Sequence, residues 1–296
     1  MKPPVFEYFR PASTQEALGL LAAQPGAKPL AGGQSLIPAM NFRLAAPEAL
    51  VDLNGITSLS GISRLESGGI RFGAMTRHHE IETSPLVAAH APLLTETMPF
   101  IAHPQIRNRG TVGGSLAHAD PAAELPAVML ALGATLVLTS MAGERRLPAA
   151  EFFTGLFATA LEPGELLTAV ELPAGAASSG SAFMEMARRH GDYALVGVAV
   201  TVTLGGSGVC DAARIVLCSV GEGPVTAGRV AVALEGFRPD ADVIRAAADA
   251  VQGDIDPPSD IHASAAFRRQ LARVLTGRAL ERAFDRARAH QSTPEQ

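Results

Sequence analysis

The stretch Arg107-Asn-Arg-Gly-Thr-Val-Gly-Gly-Ser-Leu-Ala-His-Ala-Asp-Pro121 decides how this sequence is interpreted. Its glycines stand beside Thr111 and Ser115, so backbone N–H groups and hydroxyls can approach one anion without a Cβ in the way. Groups of this kind are typical of a site that holds a pyrophosphate. The density of Gly, Arg and small residues across 103–120 predicts a structured loop rather than a regular element.

A second glycine loop precedes this stretch by about 75 residues and reads Ala31-Gly-Gly-Gln-Ser-Leu-Ile-Pro38. Gly32 and Gly33 allow a tight turn, while Gln34 and Ser35 add side-chain donors. The pattern is neither Gly-x-Gly-x-x-Gly nor Gly-x-x-x-x-Gly-Lys-Ser/Thr, which argues against a Rossmann site and a Walker loop. Taken alone it also fits a plain Gly-Gly turn. The two loops together indicate a dinucleotide held between two subdomains.

Two acidic residues follow the longer loop, at the start of a helix predicted over 122–132. Asp120 is interpreted as the N-cap of this helix or as a ligand contact, and the two roles are compatible. Glu124 is interpreted as a first-turn acid favoured by the helix dipole or as a further ligand contact. His103 and His118 lie beside the glycine loops, where hydrogen bonding within the loop is the alternative to a role at the ligand.

Composition and charge exclude several classes of protein. A net charge of −5 without any Lys/Arg cluster argues against nucleic-acid binding. Cys210 and Cys218 are too few to hold an iron–sulfur cluster, and we expect them to be core thiols on a strand. His78-His79 lacks metal-ligand spacing, so no metal site is predicted. No stretch approaches the ~18 apolar residues of a membrane span, and the N-terminus lacks an apolar signal segment, so we expect a cytoplasmic protein.

Local patterns predict short alternating elements. Ser13-Thr-Gln-Glu16 is typical of a capping box and precedes helical spacing, and a hairpin is predicted over 62–74. The segment 174–181 predicts a linker between domains. The apolar stripe of the last helix indicates core packing, with a partner-facing surface as the alternative. Further strands are predicted at 27–31, 49–53, 134–139, 166–172, 183–187, 196–204 and 213–220, and further helices at 224–234, 241–251 and 265–290.

Several stretches together resemble one known family. The two glycine loops, the pattern Pro-x-x-Phe-x-Tyr-x-x-Pro over 3–11, Val51-Asp-Leu-Asn54 and Arg188-Arg-His-Gly-Asp-Tyr-Ala194 resemble the medium, flavin-binding subunit of the xanthine dehydrogenase and carbon monoxide dehydrogenase family. The resemblance implies an α+β fold: a p-cresol methylhydroxylase-type FAD-binding domain of two α/β subdomains, then a C-terminal antiparallel sheet-and-helix domain. The implied ranges are 1–175 (subdomains about 1–56 and 57–175), 176–290 and a tail at 291–296.

The resemblance also implies which residues contact FAD. The diphosphate would be bound through backbone and hydroxyl groups of two sets of residues: Gly32, Gly33, Gln34, Ser35 and Leu36, and Thr111, Val112, Gly113, Gly114 and Ser115. Asp120 is included as a cofactor contact, and Glu124 stands where relatives commonly have an aspartate that contacts the cofactor. Leu161 stands at an isoalloxazine position, and Tyr193 where relatives place an aromatic residue near the flavin.

The function implied by the resemblance is that of an FAD-binding electron-transfer subunit of a molybdenum hydroxylase. It implies a small iron–sulfur subunit with [2Fe-2S] clusters and a large molybdenum-cofactor subunit as partners, arranged as a dimer of heterotrimers, and no residue here that acts on the substrate. Two alternatives are a self-sufficient FAD oxidoreductase of the same fold and a non-catalytic nucleotide-binding assembly protein. Many relatives have a lysine where this chain has Met184-Glu-Met186, so NAD⁺, a quinone, a cytochrome or oxygen all stay open as the acceptor.

Overall fold

The N-terminal unit is a small parallel sheet with two helices. The structure is a computed structural model that describes residues 2–292. The first elements are β1 (Glu7–Phe9), α1 (Thr14–Ala23), β2 (Ala27–Leu30), α2 (Leu36–Asn41) and β3 (Ala49–Asp52), and the strand order is β1-β3-β2. As predicted, the Ser13 hydroxyl accepts a hydrogen bond from the Glu16 N–H at 3.2 Å and so caps α1. The Glu16 carboxylate in turn accepts from the N–H of Ala12 at 2.8 Å.

The second unit is built on a five-stranded antiparallel sheet. Its strands and the adjoining hairpin are β4 (Ile62–Arg64), β5 (Ile70–Gly73), β6 (Thr135–Ser140), β7 (Gly143–Pro148), β8 (Phe153–Gly155), β9 (Ala158–Thr159) and β10 (Leu166–Leu172). The sheet order is β4-β5-β10-β6-β7, and the β4–β5 hairpin is confirmed. The helices are α3 (His78–Thr83), α4 (Pro85–His90), α5 (Pro92–Thr97), α6 (Pro104–Arg107), α7 (Val112–His118), α8 (Glu124–Ala131) and α9 (Ala149–Phe152).

The prediction of a loop over 103–120 is wrong, because this segment forms α6 and α7. Thr111 caps α7 by accepting a hydrogen bond from the Gly114 N–H at 3.1 Å. Glycine disfavours a helix interior, but a Cβ on Gly113 would lie 2.5 Å from the Cβ of Ala74. Close tertiary packing therefore requires the small residue, and the helix forms despite its low propensity.

The C-terminal unit is an antiparallel sheet with three helices. Its elements are β11 (Ser179–Ala187), β12 (Ala194–Leu204), β13 (Cys210–Cys218), β14 (Val225–Thr226), α10 (Gly228–Leu234), α11 (Ala241–Ala250) and α12 (Ala265–Ser292). Several predicted bounds are wrong. Residues 179–181 of the predicted linker belong to β11, the strand predicted at 213–220 spans Cys210–Cys218, and the helix predicted from 224 begins only at Gly228. Pairing of Val225 and Thr226 with β13 draws those residues into the sheet. Residues 293–296 of the predicted tail lie outside the described residues.

Both faces of the C-terminal sheet are buried. Along β12, Val198 and Val200 belong to the cluster that contains Phe284 of α12, while the intervening Ala199 belongs to the cluster that contains Val128 of α8. Alternate residues of a strand point to opposite faces, so the sheet lies between α12 and the second unit. This explains the nearly continuous apolar run of β12. The core-packing interpretation of the last helix is confirmed.

The cysteines and the apolar helices agree with what the sequence predicts. Cys210 and Cys218 are free and buried on β13, as predicted. Within residues 2–292, no helix combines the length and the apolar character that crossing a bilayer requires.

The contact between β11 and α12 gives a prediction about stability. A Cβ on Gly180 would overlap the carbonyl oxygen of Ala283 and lie 2.6 Å from the backbone nitrogen of Ala287. We expect Gly180→Ala to lower the free energy of unfolding by about 1–3 kcal/mol, as other overpacking substitutions do. Urea denaturation would measure the change. Gly206→Ala is the matched control, since nothing lies within 4 Å of its Cβ position, and equal stability of both variants would contradict the packing argument.

Candidate functional site

The first glycine loop connects the carboxyl end of β2 to α2. Gly33 has a φ of +71°, which favours glycine at this turn. Among the described residues, none of the backbone N–H groups of 32–35 donates a hydrogen bond to another protein group. Ser35 precedes α2 without making a side-chain capping bond, and Leu36 is the first residue of that helix. A row of free donors on a short loop is an arrangement that binds anions.

The second glycine loop uses most of its own N–H groups to hold itself in place. The N–H groups of Val112 and Gly113 donate to backbone carbonyls of the segment after β5, at 3.1 and 2.8 Å. Those of Gly114 and Ser115 donate to the side chain and the carbonyl of Thr111, at 3.1 and 3.0 Å. The side chain of Val112 lies in the core. What this loop can offer an anion is therefore chiefly the hydroxyls of Thr111 and Ser115.

The two loops meet at Gly32. A Cβ there would overlap the carbonyl oxygen of Arg109 and lie 2.9 Å from the Cα of Gly110, and a Cβ on Gly114 would lie 3.3 Å from the Cβ of Ala31. Beside this contact is a cavity of about 440 Å³, within the usual range of small-molecule sites. Its polar lining comes from Tyr8, Gln34, Asn41, Asp52, Asn54 and Arg109.

Asp52 is the acid of this cavity, and its carboxylate is fully engaged. It accepts a hydrogen bond from the Tyr8 hydroxyl, and its other oxygen accepts from the backbone N–H of Asn54 at 2.9 Å and from the Asn54 side chain. Burial acts to raise the pKa of Asp52, but the bonds from Tyr8 and Asn54 outweigh burial and hold this pKa below its ordinary value. Asp52 is therefore a stable anion in the lining of the cavity.

Arg77 extends the same hydrogen-bonded chain to both loops. Its guanidinium donates to Asn54 Oδ1 at 2.5 Å and also to the carbonyl of Arg109. Asn54 Nδ2 donates to the carbonyl of Ala31 at 2.9 Å. The sequence interpretation assigned no role to Arg77 or Asn54, although it singled out the segment 51–54. Only the crossing of three chain segments shows that these side chains belong to the site.

Asp120 and Glu124 lie on either side of a tight turn. The Asp120 carboxylate accepts from the N–H of Ala122 at 2.9 Å, whereas α8 begins at Glu124 with Ala123 as its N-cap. The interpretation of Asp120 as the N-cap of this helix is therefore wrong, because a separate turn over 120–123 precedes the helix. Glu124 does occupy the first turn, and it is almost completely buried.

Glu124 lies near a second carboxyl group, that of the half-buried Glu185. In the sheet register, Gly197 of β12 lies between Glu185 of β11 and Cys218 of β13. Residues that are opposite one another point to the same face of a sheet, and this face packs on α8. Burial raises the pKa of Glu185 to about 9, and the charge of Glu124 adds to this effect. Burial likewise raises the pKa of Glu124 to about 7. Neither carboxyl group has an ion-pair partner among the described residues, so the pair holds at least one proton at neutral pH.

Leu161 and Tyr193 lie apart from the cavity. Leu161 follows the β8–β9 hairpin and packs, half-buried, against the core of the second unit. Tyr193 is an exposed residue in the turn between β11 and β12, where partial burial and the carboxylates of Asp120 and Glu124 raise its pKa. The predicted site residues therefore form two groups. Gly32, Gly33 and Gln34 line the cavity, whereas Tyr193 interacts electrostatically with Asp120 and Glu124.

Comparison with known families divides the chain in two. Residues 4–175 match the family described as FAD binding domain in molybdopterin dehydrogenase. Residues 181–283 match the CO dehydrogenase flavoprotein C-terminal domain.

Full-length relatives and solved structures are similar to this chain. It is 44% identical to the 6-hydroxypseudooxynicotine dehydrogenase complex subunit alpha of Paenarthrobacter nicotinovorans, covering 97% of each chain. It is 42% identical to the carbon monoxide dehydrogenase medium chain of Afipia carboxidovorans, covering 97% of this chain and 100% of the relative. A structure of carbon monoxide dehydrogenase from Hydrogenophaga pseudoflava superposes with a TM-score of 0.94 at 40% identity, covering 97% of this chain and 99% of that one.

The carboxyl pair formed by Glu124 and Glu185 predicts how stability depends on pH. Both pKa values are higher in the folded chain than in the unfolded one, so the folded state binds more protons between about pH 4.5 and about pH 9. Stability contributed by the protonated pair is therefore present at the acid end of that window and lost as the pH rises. We expect Glu185→Gln to flatten the fall in unfolding free energy between about pH 6 and about pH 9.

Urea denaturation at a series of pH values would measure this slope. The exposed Glu66 of the β4–β5 turn provides the matched control, Glu66→Gln, which should keep the wild-type slope. An unchanged slope in Glu185→Gln would show that Glu185 does not titrate in this window.

Proposed function

This chain belongs to the family of FAD-binding medium subunits of molybdenum hydroxylases, and from that premise we propose that it carries electrons from the [2Fe-2S] clusters of a partner to an external acceptor. The relatives are subunits of dehydrogenases, so the chain is the flavoprotein component of an oxidoreductase. FAD supplies a carrier that exchanges electrons singly or in pairs. The contribution of this chain is to bind that carrier, orient it and set the charge around it.

The first glycine loop supports the proposed diphosphate site most directly. The free N–H groups of 32–35 offer donors, and the contact at Gly32 leaves no space for a side chain where the loops meet. Thr111 and Ser115 add hydroxyls, while Leu36, Val112, Gly113 and Gly114 shape the loops. Arg109 lines the cavity without an ion-pair partner among the described residues, so its charge favours an anionic occupant. The residues present therefore fit a dinucleotide.

The flavin end of the proposed site is formed by Asp120, Glu124, Leu161 and Tyr193. Support comes from the electrostatic interaction of Tyr193 with the two acids. Tyr193 belongs to the C-terminal domain, whereas both acids belong to the FAD-binding domain. With Glu185 also acidic, no lysine stands on this part of β11. The environment proposed for the flavin is therefore acidic on the side of the C-terminal sheet, which disfavours an additional negative charge there.

The proposed partners are a small iron–sulfur subunit and a large molybdenum-cofactor subunit, in a dimer of heterotrimers. The relatives are named as medium chains or complex subunits, and this chain covers almost their full length. Two buried cysteines cannot ligate a [2Fe-2S] cluster, so the clusters belong to another chain. A cytoplasmic location is also part of the proposal.

The proposed domain division is 1–175 and 176–290, with the first part divided near 56. The match of two separate families to 4–175 and 181–283 supports the main boundary. The parallel sheet that ends with β3 and the antiparallel sheet that begins with β4 support the subdivision.

Purification of the complex from its native host tests the proposed function. We expect FAD, iron and molybdenum to co-purify with this chain, with two further subunits present. Recombinant chain alone should bind FAD but should not oxidise a substrate. Turnover by the isolated chain would favour a self-sufficient oxidoreductase. A preparation from the native host that holds FAD but neither partner subunits nor redox activity would favour an assembly protein. No FAD binding by the recombinant chain would refute the site.

The contact at Gly32 gives a prediction about cofactor affinity. We expect Gly32→Ala to weaken FAD binding roughly tenfold or more, because separating the loops removes charge-assisted hydrogen bonds to the diphosphate. Fluorescence titration of the apo chain with FAD would measure the dissociation constant. Gly19→Ala, on α1, is the matched control because nothing lies within 4 Å of its Cβ position. Wild-type affinity in Gly32→Ala would show that the loop contact is not needed for binding.

A further inference from the structure

Side chains of Tyr8, Asp52, Asn54 and Arg77 form one hydrogen-bonded chain. Two backbone carbonyl groups, each just before a loop glycine, accept hydrogen bonds from it. The carbonyl of Ala31 precedes Gly32 and accepts from Asn54 at 2.9 Å. The carbonyl of Arg109 precedes Gly110 and accepts from Arg77. Since Arg77 also donates to Asn54 at 2.5 Å, a single guanidinium connects the two loops.

The geometry of the peptide bond gives this connection a consequence. In a trans peptide, the C=O of one residue and the N–H of the next point in opposite directions, and the described chain contains no cis peptide. Fixing the Ala31 carbonyl towards Asn54 therefore turns the N–H of Gly32 away from the polar chain. That N–H belongs to the row of free donors at 32–35.

The Arg109–Gly110 peptide is the fixed side of the contact. Its N–H donates to the carbonyl of Ile106 at 2.7 Å, while its carbonyl accepts from Arg77. The same carbonyl lies against the Cα of Gly32. The second loop thus provides a rigid surface, and the first loop is positioned against it.

Each member of the chain is oriented by its neighbours. Asn54 uses both Nδ2 protons, one for Ala31 and one for Asp52, and accepts from Arg77 on Oδ1. Asp52 is held in turn by the hydroxyl of Tyr8. An arginine suits the last position because its two terminal nitrogens reach two different acceptors in one plane, which a lysine ammonium does less well.

We propose that Arg77 is a positioning residue that, through Asn54, Asp52 and Tyr8, fixes the separation of the two glycine loops and aims the Gly32 N–H at the cofactor diphosphate. This inference rests on the proposed FAD-binding function and deepens it. These hydrogen-bonded side chains affect the binding of the diphosphate rather than that of the flavin. Loss of the Arg77 contacts should therefore weaken the binding of ADP and the binding of FAD by the same factor.

The test compares Arg77→Lys, which keeps the charge but not the double contact, with Arg64→Lys on β4, where the arginine is exposed and makes no ion pair among the described residues. FAD and ADP affinities of the full chain are measured by titration. In glycine-labelled protein, the amide signal of Gly32 is followed by NMR as each ligand is added. The urea unfolding of the apo forms monitors folding separately.

We expect Arg77→Lys to lose roughly tenfold in affinity for both ligands, which corresponds to one charge-assisted hydrogen bond, and to lose the ligand-induced shift of the Gly32 amide. Arg64→Lys should match the wild type. Wild-type affinity and an unchanged Gly32 shift in Arg77→Lys would overturn the proposal. So would a loss confined to FAD, because that would place the effect at the flavin.

A second variant keeps the proposal testable if Arg77→Lys is unfolded. Tyr8→Phe removes only the hydroxyl at the exposed end of the chain, and it should weaken both ligands in the same direction by a smaller factor. In a folded double variant the two losses should not add, since both act through Asp52 and Asn54. Full additivity, or no effect of Tyr8→Phe, would overturn the proposal. Failure of the wild type to bind FAD would instead refute the function on which it rests.

Discussion

The close approach of two backbone segments at Gly32 is the constraint on which the candidate site depends. The Cα of Gly32 lies against the carbonyl of Arg109, in a space that would not admit a Cβ. This contact joins the parallel sheet of the N-terminal unit to the helices of the second unit, and the cavity lies beside it. It also assigns different tasks to the two loops. The N–H groups of the first glycine loop make no hydrogen bonds to described protein groups, while most N–H groups of the second loop donate to the protein itself.

The polar chain from Tyr8 to Arg77 turns this contact into a defined geometry. Backbone packing alone keeps the loops close, but it does not orient their peptide planes. The hydrogen bonds from Asn54 and Arg77 capture one carbonyl in each loop and so decide which way the adjoining peptide groups face. Glu80 and Asp52 both act on the charge of Arg77, whereas Arg109 has no ion-pair partner among the described residues, so its charge is available to an anion in the cavity.

The C-terminal sheet completes the molecule by packing on both faces. Its α12 face forms a conventional apolar core, whereas its other face brings Glu185 and Cys218 against Glu124 of α8. Two neighbouring carboxyl groups that are partly removed from water and have no cation beside them cost free energy unless they hold a proton. Because the raised pKa values belong to Glu124 and Glu185 at the interface of the two domains, the packing of these domains depends on pH. This interface is close to the residues proposed for the flavin end of the site.

Local patterns in the sequence were enough to predict the features whose causes are local: the cap of α1, the β4–β5 hairpin, the buried strands and the glycines of both loops. Where a local pattern competed with tertiary packing, prediction was wrong, as for the segment 103–120 that forms α6 and α7 around Gly113. Asp120 was misassigned for a similar reason, since the pattern did not reveal the extra turn before α8. The joining of the two loops by Asn54 and Arg77, and the proximity of Glu124 to Glu185, follow from the folded chain alone. Those contacts connect residues far apart in the chain, and nothing in the local composition of either partner specifies the other.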